Sequence, residues 1–172
     1  MIRILGCSMI LGASTAIGYM YGENLKKRTR ELKEIERCII QLQNEIVYTH
    51  TPLPEAIMTV SKKSFGGVKK IFEDISKLLM LNKVDSVYEA FNKVIDDEKK
   101  YLNLKDEDLY ILLDMSKTLG ESDIQGQKKM FLLTLNNFKS QIEISENLMN
   151  SNVKMYRYLG FALGAMTVIV LI

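Results

Sequence analysis

The sequence predicts an all-α protein: a bundle of about six helices, the first and last long and continuing into N- and C-terminal transmembrane segments. Three observations predict it. Apolar residues recur at helical spacing through the middle of the chain, with only two prolines, no Asn-Gly turn and no sustained apolar/polar alternation. Both ends are free of charge, over residues 4–22 (ILGCSMILGASTAIGYMYG) and 158–172 (YLGFALGAMTVIVLI). Every acidic residue lies between Glu23 and Glu146, so a composition of 47% hydrophobic and 26% charged residues hides a segregated chain.

The first uncharged run rises about 28 Å as a helix, close to the roughly 30 Å of a bilayer's hydrocarbon core. A cleaved signal peptide fits it poorly, because Met-Ile-Arg is a short basic region and no clean A-x-A site follows. The C-terminal run rises about 22 Å and follows Lys154 and Arg157, with no polar tail behind it. Lys26, Lys27, Arg28 and Arg30 follow the first run, whereas only Arg3 lies outside the two. Basic residues favour the cytoplasmic side, so residues 23–157 are expected as a cytoplasmic helical domain with both termini across the membrane.

Within that domain, Leu32, Ile35, Ile39, Leu42 and Ile46 repeat at intervals of 3 and 4 on one helix face, with Glu31, Glu34, Gln41 and Glu45 off it. The helix must end near His50, because a residue before proline is pushed out of helical geometry. Thr51 then caps a second helix with Pro52 at its first position, burying Leu53, Ile57 and Val60. Ser64-Phe-Gly-Gly67 breaks the chain before a third helix carrying Val68, Ile71, Phe72, Ile75, Leu78 and Leu79. A fourth starts from Asp85 and carries Val87, Phe91, Val94 and Ile95. A fifth starts near Asp106 and carries Leu109, Leu112, Leu113 and Leu119. Gly120 suits a left-handed residue past its end. Ser122 and Gln125 have capping-box spacing for the sixth helix, which carries Phe131, Leu135, Phe138, Ile142, Met149 and Tyr156 and runs into the C-terminal segment.

Chemistry is hard to assemble from these residues. One histidine, His50, has no cysteine or carboxylate at zinc-ligand spacing. The acidic runs at 96–98 and 106–108 point in successive directions around a helix, which suits a solvated face better than a cation site. No P-loop and no Ser/His/Asp or Cys/His set can be placed, so neither an enzyme nor a cofactor is expected. Tyr48, Tyr88, Tyr101 and Tyr110 read as packing residues. Excluding Arg3, 22 basic residues face 21 acidic ones, which gives no reason to expect nucleic acid. The basic run at 26–30 suits anionic lipid headgroups instead. Cys7 in the apolar run and Cys38 in a cytosolic helix are not expected to pair.

Two stretches carry a resemblance. LQNEIVYTHTPLPEAI (42–57) resembles the E-I-x-Y-x-x-T-P-L-x-x-A stretch of the stage III sporulation protein AB family. LGESDIQGQ (119–127) is similar to that family's L-G-x-x-D-x-x-x-Q stretch. The TPLPEAI segment also resembles the P-L-x-E-A-L helix start of the inner-membrane platform (F component) of type II secretion and type IV pilus machines. The resemblance implies a two-pass, non-enzymatic platform protein in the mother-cell membrane. Its partners would be a cytoplasmic secretion-type ATPase, ring-forming channel subunits of the complex joining mother cell and forespore, and membrane lipid. Glu45, Tyr48, Asp123 and Gln127, which match motif positions, would form the partner interface. The residues themselves leave an alternative open: Asp123 and Gln127 also suit a helix start, and Tyr48 suits packing near the helix break. A membrane-tethered helical adaptor or sensor binding a soluble regulator would have the same composition.

Overall fold

The computed structural model describes residues 2–120 and 123–171; the side chains at 2–5, 7, 8, 10, 11, 153, 154, 156, 157, 160, 161, 163, 164, 170 and 171 lie outside that description. The described chain is helical, without a strand. Helix α1 spans Ile2–Gln43 and passes into a wider π-helical segment, Asn44–Tyr48. Then come α2 (Leu53–Lys63), α3 (Gly66–Met80), α4 (Val87–Glu98), a 3-10 turn (Lys99–Tyr101), α5 (Asp106–Thr118) and α6 (Ile124–Leu171). Six α-helices with long first and last members match the predicted order. Among the described residues, no helix is long and apolar enough to cross a membrane. The transmembrane extensions expected at 4–22 and 158–172 are therefore not confirmed by the fold, and many side chains of both runs lie outside the described set.

The chain divides into two compact units, one of residues 30–143 and one of residues 1–29 with 144–172. The first has a continuous apolar core. Leu32, Ile35, Ile39 and Leu42 of α1 are fully buried, as are Phe72, Phe91, Phe131 and Phe138 from three other helices. Each such side chain stabilises the fold by about 1.5–3 kcal/mol on transfer from water. The α1 stripe departs from its expected register at one place. After Leu42 the next buried residue is Val47, five positions on, while Ile46 is half-buried. The π segment accounts for this, because its extra residue per turn carries the stripe to i+5. Glu34, expected off the stripe, is 4% exposed and belongs to the interior.

Several helix starts shift by one residue from expectation. In α2, Pro52 occupies the cap position with extended backbone and its carbonyl accepts the Ala56 N–H at 2.9 Å; Thr51 does not cap. In α4, Ser86 rather than Asp85 is the cap: its hydroxyl accepts the Glu89 N–H at 3.1 Å, and the Glu89 carboxylate accepts the Asp85 N–H at 2.8 Å. That is the S-x-x-E reciprocal arrangement, displaced by one at its return bond. In α6, Asp123 caps the helix, its Oδ1 accepting the Gly126 N–H at 2.8 Å. Ser122, expected there, lies outside the described residues. Gly120 has φ +88 as expected past the end of α5, and Gly66 has φ +63 where α3 begins.

In the other unit, Thr29 and Ser145 are both buried with hydroxyls 2.8 Å apart. Thr29 already donates its hydroxyl proton to the Leu25 carbonyl at 3.1 Å, so Ser145 donates to Thr29. A serine that interrupts the apolar stripe of α6 is thereby satisfied inside a helix pair. Gly18 and Gly22, four apart on α1, are buried too.

Candidate functional site

The candidate residues Glu45 and Tyr48 lie in the π segment, where α1 gives way to α2. Widening the helix sends backbone bonds to later acceptors: Thr49 N–H reaches the Asn44 carbonyl at 3.1 Å and Thr51 N–H the Glu45 carbonyl at 2.9 Å. His50 turns the chain between them with φ +56, a left-handed conformation that closes a helix end. The single histidine thus serves as backbone punctuation. Glu45 is held by two neighbours: the Thr51 hydroxyl donates to its Oε2 at 3.1 Å, and Lys63 Nζ stands 3.9 Å from Oε1.

Tyr48 points outward at 68% exposure. The ammonium of Lys128 on α6 sits 5.9 Å from the centre of its ring, a cation–π approach. Lys128 follows Gln127 directly, so this contact joins the two motif stretches. Asp123 and Gln127 stand together at the start of α6, where the Asp123 carbonyl accepts the Gln127 N–H at 2.9 Å. Asp123 therefore does what a helix start requires, while its side chain remains exposed. A second meeting of the two stretches is a cavity of about 420 Å³ lined by Leu53, Pro54, Leu119 and Gly120 with the α3–α4 loop. A Cβ on Gly120 would come within 3.2 Å of Leu53 Cδ2.

Sequence reasoning missed Lys128 and gave Thr51 a capping role in place of its bond to Glu45, because nothing in their spacing announces a partner about 80 residues away or a turn with π geometry. It also misplaced four tyrosines. Tyr48, Tyr88, Tyr101 and Tyr110 are exposed rather than packed inside, and each ring has a lysine ammonium 5.1–6.0 Å from its centre. A tyrosine satisfied by lysine stems and solvent reads the same in sequence as one with its ring in a core.

The turn after α2 is built differently. The Glu34 carboxylate takes both a bond from Arg37 Nε at 2.9 Å and one from the second guanidinium arm. It also accepts the Phe65 N–H at 3.2 Å. Arg37 donates on to the Lys63 carbonyl at 2.7 Å, and its guanidinium lies 5.6 Å from the Phe65 ring centre. The hydrogen bond to Glu34 raises the Arg37 pKa above its ordinary value. Burial, with Glu34 adding to it, pushes the neighbouring Cys38 thiol up to about 12, which keeps it protonated and unreactive. Cys7, the other cysteine, lies outside the described side chains. Among the described residues no three His, Cys, Asp or Glu side chains gather as metal ligands would.

An all-helical protein whose distinctive residues lie on an outward turn, over a closed apolar core, belongs to the class of helical bundles. Comparison with known proteins narrows the class. The chain belongs to the stage III sporulation protein AB family, whose model matches residues 3–172. It is 28% identical over 171 residues to the stage III sporulation protein AB of Bacillus subtilis (strain 168), covering 99% of each chain. A solved structure of a stage III sporulation protein AB superposes with a TM-score of 0.66 at 26% identity, over 72% of this chain and 96% of the other.

Proposed function

We propose that this chain is a membrane-anchored, non-enzymatic platform component of the sporulation channel complex joining mother cell and forespore. In that role it links a cytoplasmic secretion-type ATPase to the ring-forming channel proteins. The observation that carries the reading is family membership over residues 3–172, which includes both motif stretches. The surface of the smaller unit supports the membrane part. Met20, Met166 and Ile169 are exposed there, with Tyr19, Tyr21 and Tyr158 also facing outward. From the Thr29–Ser145 pair, these tyrosines lie 8 to 13 residues along their helices, about 12–20 Å, where an aromatic belt would meet the headgroups.

Residues 4–22 and 158–172 are then membrane helices, and residues 23–157 stand in the mother-cell cytoplasm. Both termini lie across that membrane. Glu45, Tyr48, Asp123 and Gln127 form the partner interface, with Lys128 completing it beside the uncovered ring of Tyr48.

The test is mild cross-linking in sporulating cells followed by purification of the tagged full chain and mass spectrometry. Recovery of a secretion-type ATPase with channel subunits, lost on Tyr48→Ala, is the expected outcome. A soluble regulator in place of both assigns the chain to the tethered-adaptor class instead.

A further inference from the structure

We propose that the groove between α5 and α6 docks an acidic amphipathic helix. The groove encloses about 390 Å³ and extends along α6 from Gly126 to Asn137. Twelve residues of helix cover about 16 Å, which matches roughly three turns of a partner lying alongside. Its walls are apolar: Ile111 and Met115 from α5, Met130 and Leu133 from α6. Met115 and Met130 are buried at the floor, and their flexible thioethers adapt to differently shaped anchors. Leu133 is 55% exposed, and Leu132 beside it more so. Leu133 faces away from the stripe that Phe131 and Phe138 bury, so α6 leaves apolar surface in the groove that the bundle does not cover.

Charge at the rim selects the occupant. Lys117 and Lys129 line the groove against a single carboxylate, Asp114. Asp114 is engaged by Lys117 at 3.2 Å. Lys129 is exposed and has no ion-pair partner among the described residues. A partner that buries leucine-type side chains at i, i+3 or i+4 and i+7 must therefore bring a carboxylate to Lys129. The groove lies wholly within residues 30–143, so its docking role is independent of how the other unit meets a membrane.

Two labelled fourteen-residue helical peptides test it against the full chain in detergent, by fluorescence anisotropy. Both carry the same leucine stripe; one is flanked by glutamate, the other by lysine. The glutamate peptide is expected to bind about ten-fold tighter than the lysine peptide, with the gap narrowing as salt rises. Leu133→Glu is expected to abolish binding of the glutamate peptide, and Lys129→Glu to reverse the preference. Both positions are exposed, and circular dichroism checks that each variant is folded. Equal binding of the two peptides, or binding unchanged in both variants, overturns the proposal. So does a fall in particle mass on Leu133→Glu with peptide affinity intact, which assigns the groove to a second copy of the chain.

Discussion

Helix α2 is entered and left through turns that are held in opposite ways. At its entry, the π segment, the left-handed His50 and the outward Tyr48 are secured by backbone bonds and by Glu45 contacts at the surface. At its exit, Glu34 is buried and takes bonds from Arg37 and from the Phe65 N–H, while Arg37 reaches the last carbonyl of α2. The exit turn thus satisfies the free groups of two helix ends with one ion pair whose carboxylate is buried and whose guanidinium reaches solvent. The entry turn leaves its side chains for something else. Glu34 and Glu45 sit eleven positions apart and look equally polar in sequence, yet one belongs to the interior and the other to the surface turn.

This contrast can be broken or sharpened by substitution, in decreasing order of effect on stability. Leu42→Asp puts a charge at a fully buried position beneath the entry turn and is expected to abolish cooperative unfolding of the domain, followed by circular dichroism. Glu34→Ala should cost about 3 kcal/mol in denaturant unfolding, at the lower end for a broken buried pair because Arg37 reaches solvent. A loss below about 0.5 kcal/mol, the range of ordinary surface changes, would place the exit turn in the same class as the entry turn.

Gly120→Ala is expected to cost about 1–2 kcal/mol, since φ +88 strains any side chain and the new methyl presses on Leu53. Thermal unfolding reads it directly. Cys38 tests the exit side through pH. Its thiol binds a proton more tightly folded than unfolded, so its contribution is complete below pH 9 and is lost as pH rises towards about 12. Stability should therefore fall in that window by up to about 1.4 kcal/mol per pH unit more than in Cys38→Ala, compared by denaturant titration. The smallest change is expected for Tyr48→Ala, within about 0.5 kcal/mol of the parent, while recovery of cross-linked partners drops.

Much of the fold was legible because apolar spacing and chain breaks are local signals. The order of six helices, the buried Leu32–Leu42 stripe and the left-handed Gly120 all follow from them. The α5 capping residue is a partial case: Asp108 was read only as part of a surface run, yet it is buried and accepts the Lys105 N–H at 2.9 Å. Glu34 was misread for a related reason. Periodicity puts a carboxylate off the stripe; Arg37 stands one turn on in the same helix, but only tertiary packing supplies the Phe65 N–H that lets Glu34 turn inward. The π segment had no signal at all, because α and π turns use the same residues and differ by where a single N–H finds its acceptor. At the candidate site, the positions Glu45, Tyr48, Asp123 and Gln127 came from motif resemblance. Their connection through Lys128 came from the fold alone.

The widened turn at Asn44–Tyr48 also works as a phase shifter. One residue advances an α-helix by about 100°. Absorbing a residue within the turn changes the azimuth at which the chain leaves α1, without changing how far along the axis it has climbed by more than about 1.5 Å. Deleting a single residue there would restore an even winding and swing Tyr48, the His50 corner and the entry of α2 around the axis together. The length of this one segment, more than the identity of any side chain on it, sets the compass bearing of the surface that the turn presents.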